Sequence, residues 1–192
     1  MTTHTVSSTT ARIPLDHPRT LLVRIASAWS RRRYGTVLEP GLALLHNRRV
    51  LMSVSRLELA VEKWSSLDHA LKDLANAAVA AQIGCSWCMD FGYYAVRNGD
   101  LDRAKLEAIP EWRSSDVYSP LERKVLEYAE AMTSTPPVVT DEMVAGLRDE
   151  LTDEQLVELT EMIAVENLRS RTNSALGLTS QGFKDHCEVP TR

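Results

Sequence analysis

The sequence has no excess of basic residues, no long apolar run and almost no strand-like alternation. Its 22 Lys and Arg stand against 26 Asp and Glu, a net charge of −4, so it lacks the basic patch typical of nucleic-acid-binding proteins. No apolar stretch approaches the roughly 20 residues that span a bilayer. Apolar residues recur instead with a period near 3.6. These absences predict an all-α protein that has neither nucleic acid nor a membrane as a partner.

Cysteine is also scarce. Cys85, Cys88 and Cys187 are too few and too unevenly spaced for the disulfide framework of a small secreted protein. Residues 1–16 are rich in Ser and Thr and lack the apolar region of a secretory signal, so we interpret them as a disordered tail. We expect a cytoplasmic protein in which residues 17–192 form a single domain.

Two apolar stripes predict the central helices. "SVSRLELAVEKW" places Val54, Leu57, Val61 and Trp64 on one face, and "LDHALKDLANAAVAAQI" follows as an Ala-rich helix packed on several sides. Weaker patterns predict helices over 18–32, 39–46 and 102–108.

Capping boxes mark two further helix starts. Ser119 with Glu122, and Thr152 with Gln155, have the spacing at which each side chain bonds the other residue's backbone N–H. The second helix is predicted to continue to about residue 175, before Gly177 ends it.

The sequence "QIGCSWCMDFGYYAVRNG" places two cysteines at the start of a core helix. Gly84 is suited to end the preceding helix, so Cys85 and Cys88 fall in a first turn, where the positive end of the helix dipole favours a thiolate. Their spacing also allows a disulfide to form and open without large backbone movement. Two buried structural cysteines, or half of a zinc site, remain alternatives. No second CxxC or spaced His pair supports zinc, so we expect no metal.

A resemblance follows from the stretch between Leu67 and Gly99. Together with "RYGTVLEPGLALLHNRRVL" and "LERKVLEYAEAMT", it resembles the core of the carboxymuconolactone decarboxylase and alkylhydroperoxidase D superfamily over roughly residues 34–176. The resemblance implies an all-helical homo-oligomer, often a trimer or a multiple of it, without a bound cofactor. It also implies reduction of organic hydroperoxides by the cysteine pair, with electrons supplied by a thiol or a protein reductant.

The resemblance assigns roles to the cysteines but not to their proton partners. Cys88 corresponds to the thiol that attacks the peroxide, and Cys85 to the thiol that resolves the sulfenic acid. In the alkylhydroperoxidase pattern a Glu stands twelve residues before the first Cys and a His stands four after the second. Asp73 and Gly92 occupy these positions here, so the usual relay is broken.

Substitutes for that relay are Asp90, His69 and the pair Tyr93-Tyr94. His69 and Asp73 are spaced to meet on one helix face and share a proton, although an exposed pair has the same spacing.

Aromatic and polar side chains offer further candidates. Trp87 and Phe91 either line an apolar substrate pocket or belong to the core. The late part of the last long helix carries an unusual polar density that fits an oligomer interface or a solvated face, through Asn167, Arg169, Arg171 and Asn173.

The favoured function is a cysteine-dependent peroxidase or thiol–disulfide oxidoreductase acting on organic hydroperoxides. The alternative is a non-catalytic or redox-sensing helical oligomer, which Gly92 favours and the intact CxxC disfavours. A carboxymuconolactone-type decarboxylase is a third interpretation, because decarboxylation needs no CxxC and a fold alone assigns no substrate. No role is assigned to Cys187.

Overall fold

The computed structural model describes residues 11–187, except for the side chains of Asn98, His186 and Cys187. This part of the chain is helical and contains no strand, which confirms the all-α prediction. Its helices are α1 (Leu21–Tyr34), α2 (Glu39–Leu44), α3 (Arg48–Val61), α4 (His69–Ile83), α5 (Ser86–Asn98), α6 (Arg103–Glu107), α7 (Pro120–Thr133), α8 (Asp141–Arg148), α9 (Asp153–Ala175) and α10 (Phe183–Cys187), with a 3-10 turn at Ile109–Glu111. None of them is long and apolar enough to cross a membrane.

Local sequence signals set the ends of the long helices. Ser119 and Glu122 form the predicted capping box at the start of α7, and Thr152 and Gln155 form the second one at the start of α9. Gly84 ends α4 with φ +75°, a left-handed conformation that residues with a Cβ rarely adopt. The weaker helices also form, with ends shifted by a few residues from the predicted ranges. α10 was not predicted.

Helix α4 lies at the centre of the domain and packs against α5, α7 and α9. Its middle is lined with small side chains that are almost completely buried, among them Ala75, Ala78 and Ala80. Small residues let neighbouring helices approach closely on several sides. This confirms the prediction drawn from the Ala-rich sequence.

A buried ion pair joins the beginnings of α4 and α9. Lys72 Nζ lies 2.7 Å from Glu158 Oε1, and both side chains are less than a tenth exposed. Glu158 also accepts a hydrogen bond from the backbone N–H of Ser66. Because the two helices start at the same level and run in the same direction, the end of α9 reaches the turn between α4 and α5.

Both terminal segments pack near that turn. Residues 1–10 of the predicted tail lie outside the described residues, but residues 11–16 differ from that prediction because they are held in place. Arg12 donates from its backbone N–H to the carbonyl of Leu176 at 2.8 Å, and Ile13 and Leu15 pack into a small apolar cluster that contains Cys85. The apolar side chains of Ile13 and Leu15 anchor this segment.

Candidate functional site

The α4–α5 turn presents the cysteine pair. Cys85 is the N-cap of α5, and Cys88 lies in its first turn, as the sequence predicted. The two are joined by a disulfide with their Cα atoms 5.3 Å apart. The backbone N–H of Cys88 also donates to Sγ of Cys85 at 3.2 Å. A disulfide across the first turn at a helix N-terminus is typical of thiol–disulfide sites.

The two sulfurs have different surroundings. Cys85 is only 1% exposed, whereas Cys88 is partly exposed. Asn173, which is buried near the end of α9, donates from Nδ2 to Sγ of Cys88 at 3.4 Å. After reduction of the disulfide, a hydrogen-bond donor kept at this position would stabilise a thiolate more than a thiol.

Aromatic rings form one side of the site. Trp87 and Phe91 are stacked with ring centroids 5.0 Å apart, and Tyr94 stacks on Phe91 at 5.3 Å. Phe183 from α10 meets Phe91 edge-on at 5.2 Å. Trp87 is buried, while Phe91 is partly exposed. The two predicted pocket residues therefore lie together beside the cysteines, within an aromatic cluster.

Asp90 caps the start of the C-terminal helix. Its buried carboxylate accepts hydrogen bonds from the backbone N–H groups of Gln181, Phe183 and Lys184 at 2.8, 3.1 and 2.9 Å. All three bonds hold the segment leading into α10 against α5. The carboxylate, predicted as a proton partner of Cys88, is thus occupied by backbone donors.

Gln181 connects three segments around the site through hydrogen bonds, and nothing in the sequence indicated this role. Its Oε1 accepts hydrogen bonds from Trp87 Nε1 at 2.8 Å and from the backbone N–H of Glu39 at 3.0 Å, and its Nε2 donates to the carbonyl of Val37. One amide therefore joins the aromatic cluster, α2 and the C-terminal segment. No local pattern marks a residue whose partners are more than 90 positions away.

Asp73 and His69 lie at the opposite end of the helix pair from the cysteines. A Cβ placed on Gly99, just beyond the end of α5, would lie 3.4 Å from Oδ2 of Asp73. Eleven helical residues separate Cys88 from Gly99, or about 16 Å. His69 is exposed at the start of α4. The structure does not bring either residue to Cys88.

Asp73 is nevertheless an unusual carboxyl group. Burial raises its pKa to about 6, and the positive charges of His69 and Lys72 oppose that rise. Its titration near neutral pH belongs to the far end of α5, away from the disulfide.

Gly92 packs against α6. A Cβ at this position would lie 3.4 Å from Cδ1 of Leu106, in ordinary van der Waals contact with α6. Neither neighbouring tyrosine replaces the histidine of the family pattern. Tyr94 donates from its hydroxyl to the carbonyl of Arg33 at 2.8 Å, and the ring of Tyr93 packs beneath Lys184.

The polar residues late in α9 are used within the chain. Asn167 and Arg171 donate to Oγ1 and the carbonyl of Thr133 at the end of α7, both at 2.9 Å. Arg169 forms a two-point ion pair with Glu58 of α3. Tertiary partners within the chain therefore account for these hydrogen bonds, while Arg171 itself stays on the exposed face of α9.

Two buried groups beside them were missed. Glu166 and Ser170 precede Asn173 by two turns and by one turn of the same helix, and Ser170 donates from Oγ to Glu166 Oε1 at 2.7 Å. Burial raises the pKa of Glu166 to about 7, against the lowering effects of Arg169 and Ser170. Their helical spacing to Asn173 was visible in the sequence, but their burial was not.

Among the side chains that the structure describes, which leave out His186 and Cys187, no group of three or more His, Cys, Asp or Glu residues is placed to hold a metal ion. The side chains that surround the disulfide are aromatic, aliphatic or amide groups, which are poor ligands for the common protein metals.

Comparison with known proteins agrees with this fold. The model of the carboxymuconolactone decarboxylase family matches residues 50–131. The uncharacterized protein YnjA of Escherichia coli K12 is 37% identical over 178 residues, which covers 89% of this chain and 93% of that protein.

Solved structures share the architecture at lower identity. A peroxidase-related protein with an alkylhydroperoxidase D core, from Ralstonia eutropha JMP134, has a TM-score of 0.81 at 18% identity and covers 95% of this chain and 98% of its own. The debrominase Bmp8, as a cysteine-to-alanine variant in complex with 2,3,4-tribromopyrrole, has a TM-score of 0.77 at 18% identity and covers 93% and 100%. At such identity these two show the fold alone. The family match and the relative at 37% identity show that the chain belongs to the carboxymuconolactone decarboxylase and alkylhydroperoxidase D-like superfamily, and its fold agrees.

Proposed function

We propose that this protein reduces organic hydroperoxides with its cysteine pair, Cys88 acting as nucleophile and Cys85 as resolving thiol. The observation that carries the proposal is the bonded pair at the N-terminus of α5, in which only Cys88 is partly exposed. In the first step the Cys88 thiolate attacks the peroxide, an S–O bond forms and the O–O bond breaks. The alkoxide takes up a proton to leave as an alcohol, and sulfur is oxidised by two electrons to the sulfenic acid.

The second step uses the buried thiol. Cys85 attacks the sulfenic sulfur of Cys88, the disulfide forms, and the hydroxyl group leaves as water with the proton of the Cys85 thiol. Because Cys85 is almost completely buried, peroxide in solution reaches Cys88 first. The same asymmetry places the later attack of a reducing thiol on Cys88.

The cycle needs a thiol donor, and we propose a small dithiol or a partner protein. No bound cofactor is required, since two electrons pass from the donor to the disulfide and from the cysteine pair to the peroxide. A reducing compartment such as the cytoplasm supplies donors of this kind.

The proposal is tested by following consumption of cumene hydroperoxide in the presence of dithiothreitol. The wild type should turn over, and both Cys88→Ser and Cys85→Ser should lose turnover while remaining folded. Cys187→Ser serves as the matched control and should retain activity. If the reduced wild type leaves the hydroperoxide unchanged for hours while it remains folded, the peroxidase proposal fails and a non-catalytic or redox-sensing role takes its place.

A second candidate is reductive dehalogenation of an aromatic ring. The aromatic cluster of Trp87, Phe91 and Tyr94 next to the cysteines supports it, because aromatic compounds make favourable offset or edge-to-face contacts with such rings. A protein of the same fold, the debrominase Bmp8, supports this candidate by its name. A carbon–bromine bond would be reduced to carbon–hydrogen and bromide as the two thiols form the disulfide. Release of bromide from a bromopyrrole, measured beside hydroperoxide consumption, decides between the two substrates.

We further propose that the protein is a homo-oligomer, either a trimer or a multiple of it, as the resemblance implies. An apolar stripe on α1 supports this: Leu21, Ile25 and Trp29 recur every fourth residue and are 71, 59 and 51% exposed. Contiguous exposed apolar side chains of this size favour burial against another surface. A second copy of this chain supplies one without any further partner.

A further inference from the structure

A buried polar stripe on α9 ends at the nucleophilic cysteine. Glu166, Ser170 and Asn173 are 5, 0 and 4% exposed. Their spacing of four and three residues places them on one face of the helix. Three polar side chains in succession on a buried face cost free energy of desolvation that apolar residues would avoid.

Hydrogen bonds connect this stripe at both ends. Ser170 donates to Glu166 Oε1 at 2.7 Å, which holds the carboxyl group at the level of Ser170. One turn further, Asn173 donates to Sγ of Cys88 at 3.4 Å. Side chains one turn apart on a helix have their Cβ atoms about 5–6 Å apart. The carboxyl group therefore lies about one helical turn from the amide that contacts the nucleophile.

The positive charges around Glu166 compensate its carboxylate only in part. Arg169 on the same helix lies 3.3 Å from Oε2 but also forms the two-point pair with Glu58 of α3. From α4, Lys72 is paired with Glu158, and the charge of Arg169 lowers the pKa of Asp73 against the effect of burial. From α5, Cys88 lies at the end of the stripe and gains a titratable thiol when the disulfide is reduced. One arginine thus serves two carboxylates, so Glu166 adds an uncompensated charge whenever it is ionised.

We propose that Glu166 is a positioning residue whose protonation is coupled to ionisation of the Cys88 thiol, so that the thiolate forms most readily while Glu166 carries a proton. The coupling acts through the charge of the carboxylate, which Ser170 holds about one helical turn from the amide that contacts Cys88. A burial-raised pKa of about 7 places its own titration in the range where thiols begin to ionise.

The consequence for the reaction is a site of constant net charge. As Cys88 loses its proton and Glu166 gains one, the negative charge moves from the carboxylate to the thiolate. The buried region therefore never carries two negative charges at once. This use rests on the proposed peroxidase function, in which a proton must also reach the departing alkoxide. The coupling itself is a property of the reduced protein and does not depend on any substrate.

The experiment measures Cys88 alkylation without peroxide. In a Cys85→Ser background, the rate of iodoacetamide labelling at Cys88 is measured from pH 5 to 10 by peptide mass spectrometry, which separates Cys88 from Cys187. The parent should show a broad profile with two overlapping steps. Glu166→Gln should show one step, displaced to lower pH, and label at least threefold faster at pH 7.

The controls separate coupling from a general structural effect. Glu161→Gln removes the same charge from the exposed face of α9 and should leave the parent profile unchanged. Glu166→Asp keeps a titratable group and should restore two steps. If Glu166→Gln does not unfold cooperatively, Ser170→Ala provides the test, because loss of its hydrogen bond keeps Glu166 protonated to higher pH and displaces the profile in the same direction.

An unchanged profile in a folded Glu166→Gln protein, or in Ser170→Ala where the first variant does not fold, overturns the proposal. Absence of peroxide turnover with the expected profiles would instead overturn the proposed function and leave the coupling intact.

Discussion

The side-chain amide of Asn173 donates a hydrogen bond to Sγ of Cys88, across 85 positions of the sequence. This contact distinguishes the two cysteines, because Cys85 receives its hydrogen bond from the backbone of Cys88 inside the same turn. A side-chain donor from another helix can be removed without altering the turn that holds the pair. Its contribution can therefore be measured.

Asn173→Ala should lower the fraction of Cys88 present as thiolate. A lost hydrogen bond is worth about 0.5–1.5 kcal/mol, which corresponds to a roughly 2- to 10-fold slower alkylation at pH 7. The rate is measured on the reduced protein, with Asn167→Ala as the matched control, since that amide on the same helix donates to Thr133 instead. Equal rates in Asn173→Ala and the wild type would show that the contact does not stabilise the thiolate.

Glu166 should make stability depend on pH. Its folded pKa of about 7 lies above the ordinary value of 4.5, so the folded state holds a proton that the unfolded state releases between these values. Stability from this group is complete below about pH 4.5 and is lost as the pH rises to about 7. At about 1.4 kcal/mol per pKa unit, the loss is on the order of 3 kcal/mol.

The measurement is the unfolding free energy by urea at several pH values, for the wild type and Glu166→Gln. Residue 166 stays neutral in this variant. The unfolding free energy of the variant, relative to that of the wild type, should therefore rise between pH 4.5 and 7 and stay constant above about pH 8. A difference that does not change with pH would mean that Glu166 is ionised throughout.

Asp90 should hold α10 in place. Asp90→Ala leaves three backbone N–H groups without their acceptor, so we expect the amides of Phe183 and Lys184 to exchange with solvent at least tenfold faster. Hydrogen exchange read by NMR reports these amides individually. Asp185→Ala, which removes an exposed carboxylate from α10 itself, should leave them protected. Unchanged protection in Asp90→Ala would show that aromatic packing alone fixes the helix.

The apolar stripe on α1 should mediate self-association. Trp29→Glu places a charge in the middle of the stripe, so the variant should elute as a smaller species than the wild type when mass is determined by light scattering after size exclusion. Arg31→Glu introduces an acidic residue off the stripe on the same helix and should not change the mass. A wild type that is monomeric at micromolar concentration would remove the proposed interface.

Much of the fold followed from local sequence signals. The capping boxes at Ser119 and Thr152 and the glycine at 84 act within a few residues, so the pattern alone located the helix ends. The position of Cys85 and Cys88 followed in the same way, because a glycine-ended helix leaves the next residues to start a new one.

The surroundings of the cysteines depended on contacts between distant segments. Asn173 meets Cys88 only because α4 and α9 run in the same direction, and Asp90 meets the C-terminal segment only after α10 packs on α5. Asp73 shows the opposite case. It occupies the position at which the family pattern has a Glu, and the continuous α4 helix carries it to the far end of α5. Spacing along the chain cannot show which side chains become buried together.

The account depends most directly on which sulfur reacts first. Reduced Cys85→Ser and Cys88→Ser proteins are each mixed with one equivalent of cumene hydroperoxide and then with dimedone, which traps sulfenic acid, and the labelled peptides are identified by mass spectrometry. The account predicts rapid labelling at Cys88 in Cys85→Ser and none at Cys85 in Cys88→Ser. Labelling at Cys85 with Cys88 left unmodified would contradict it.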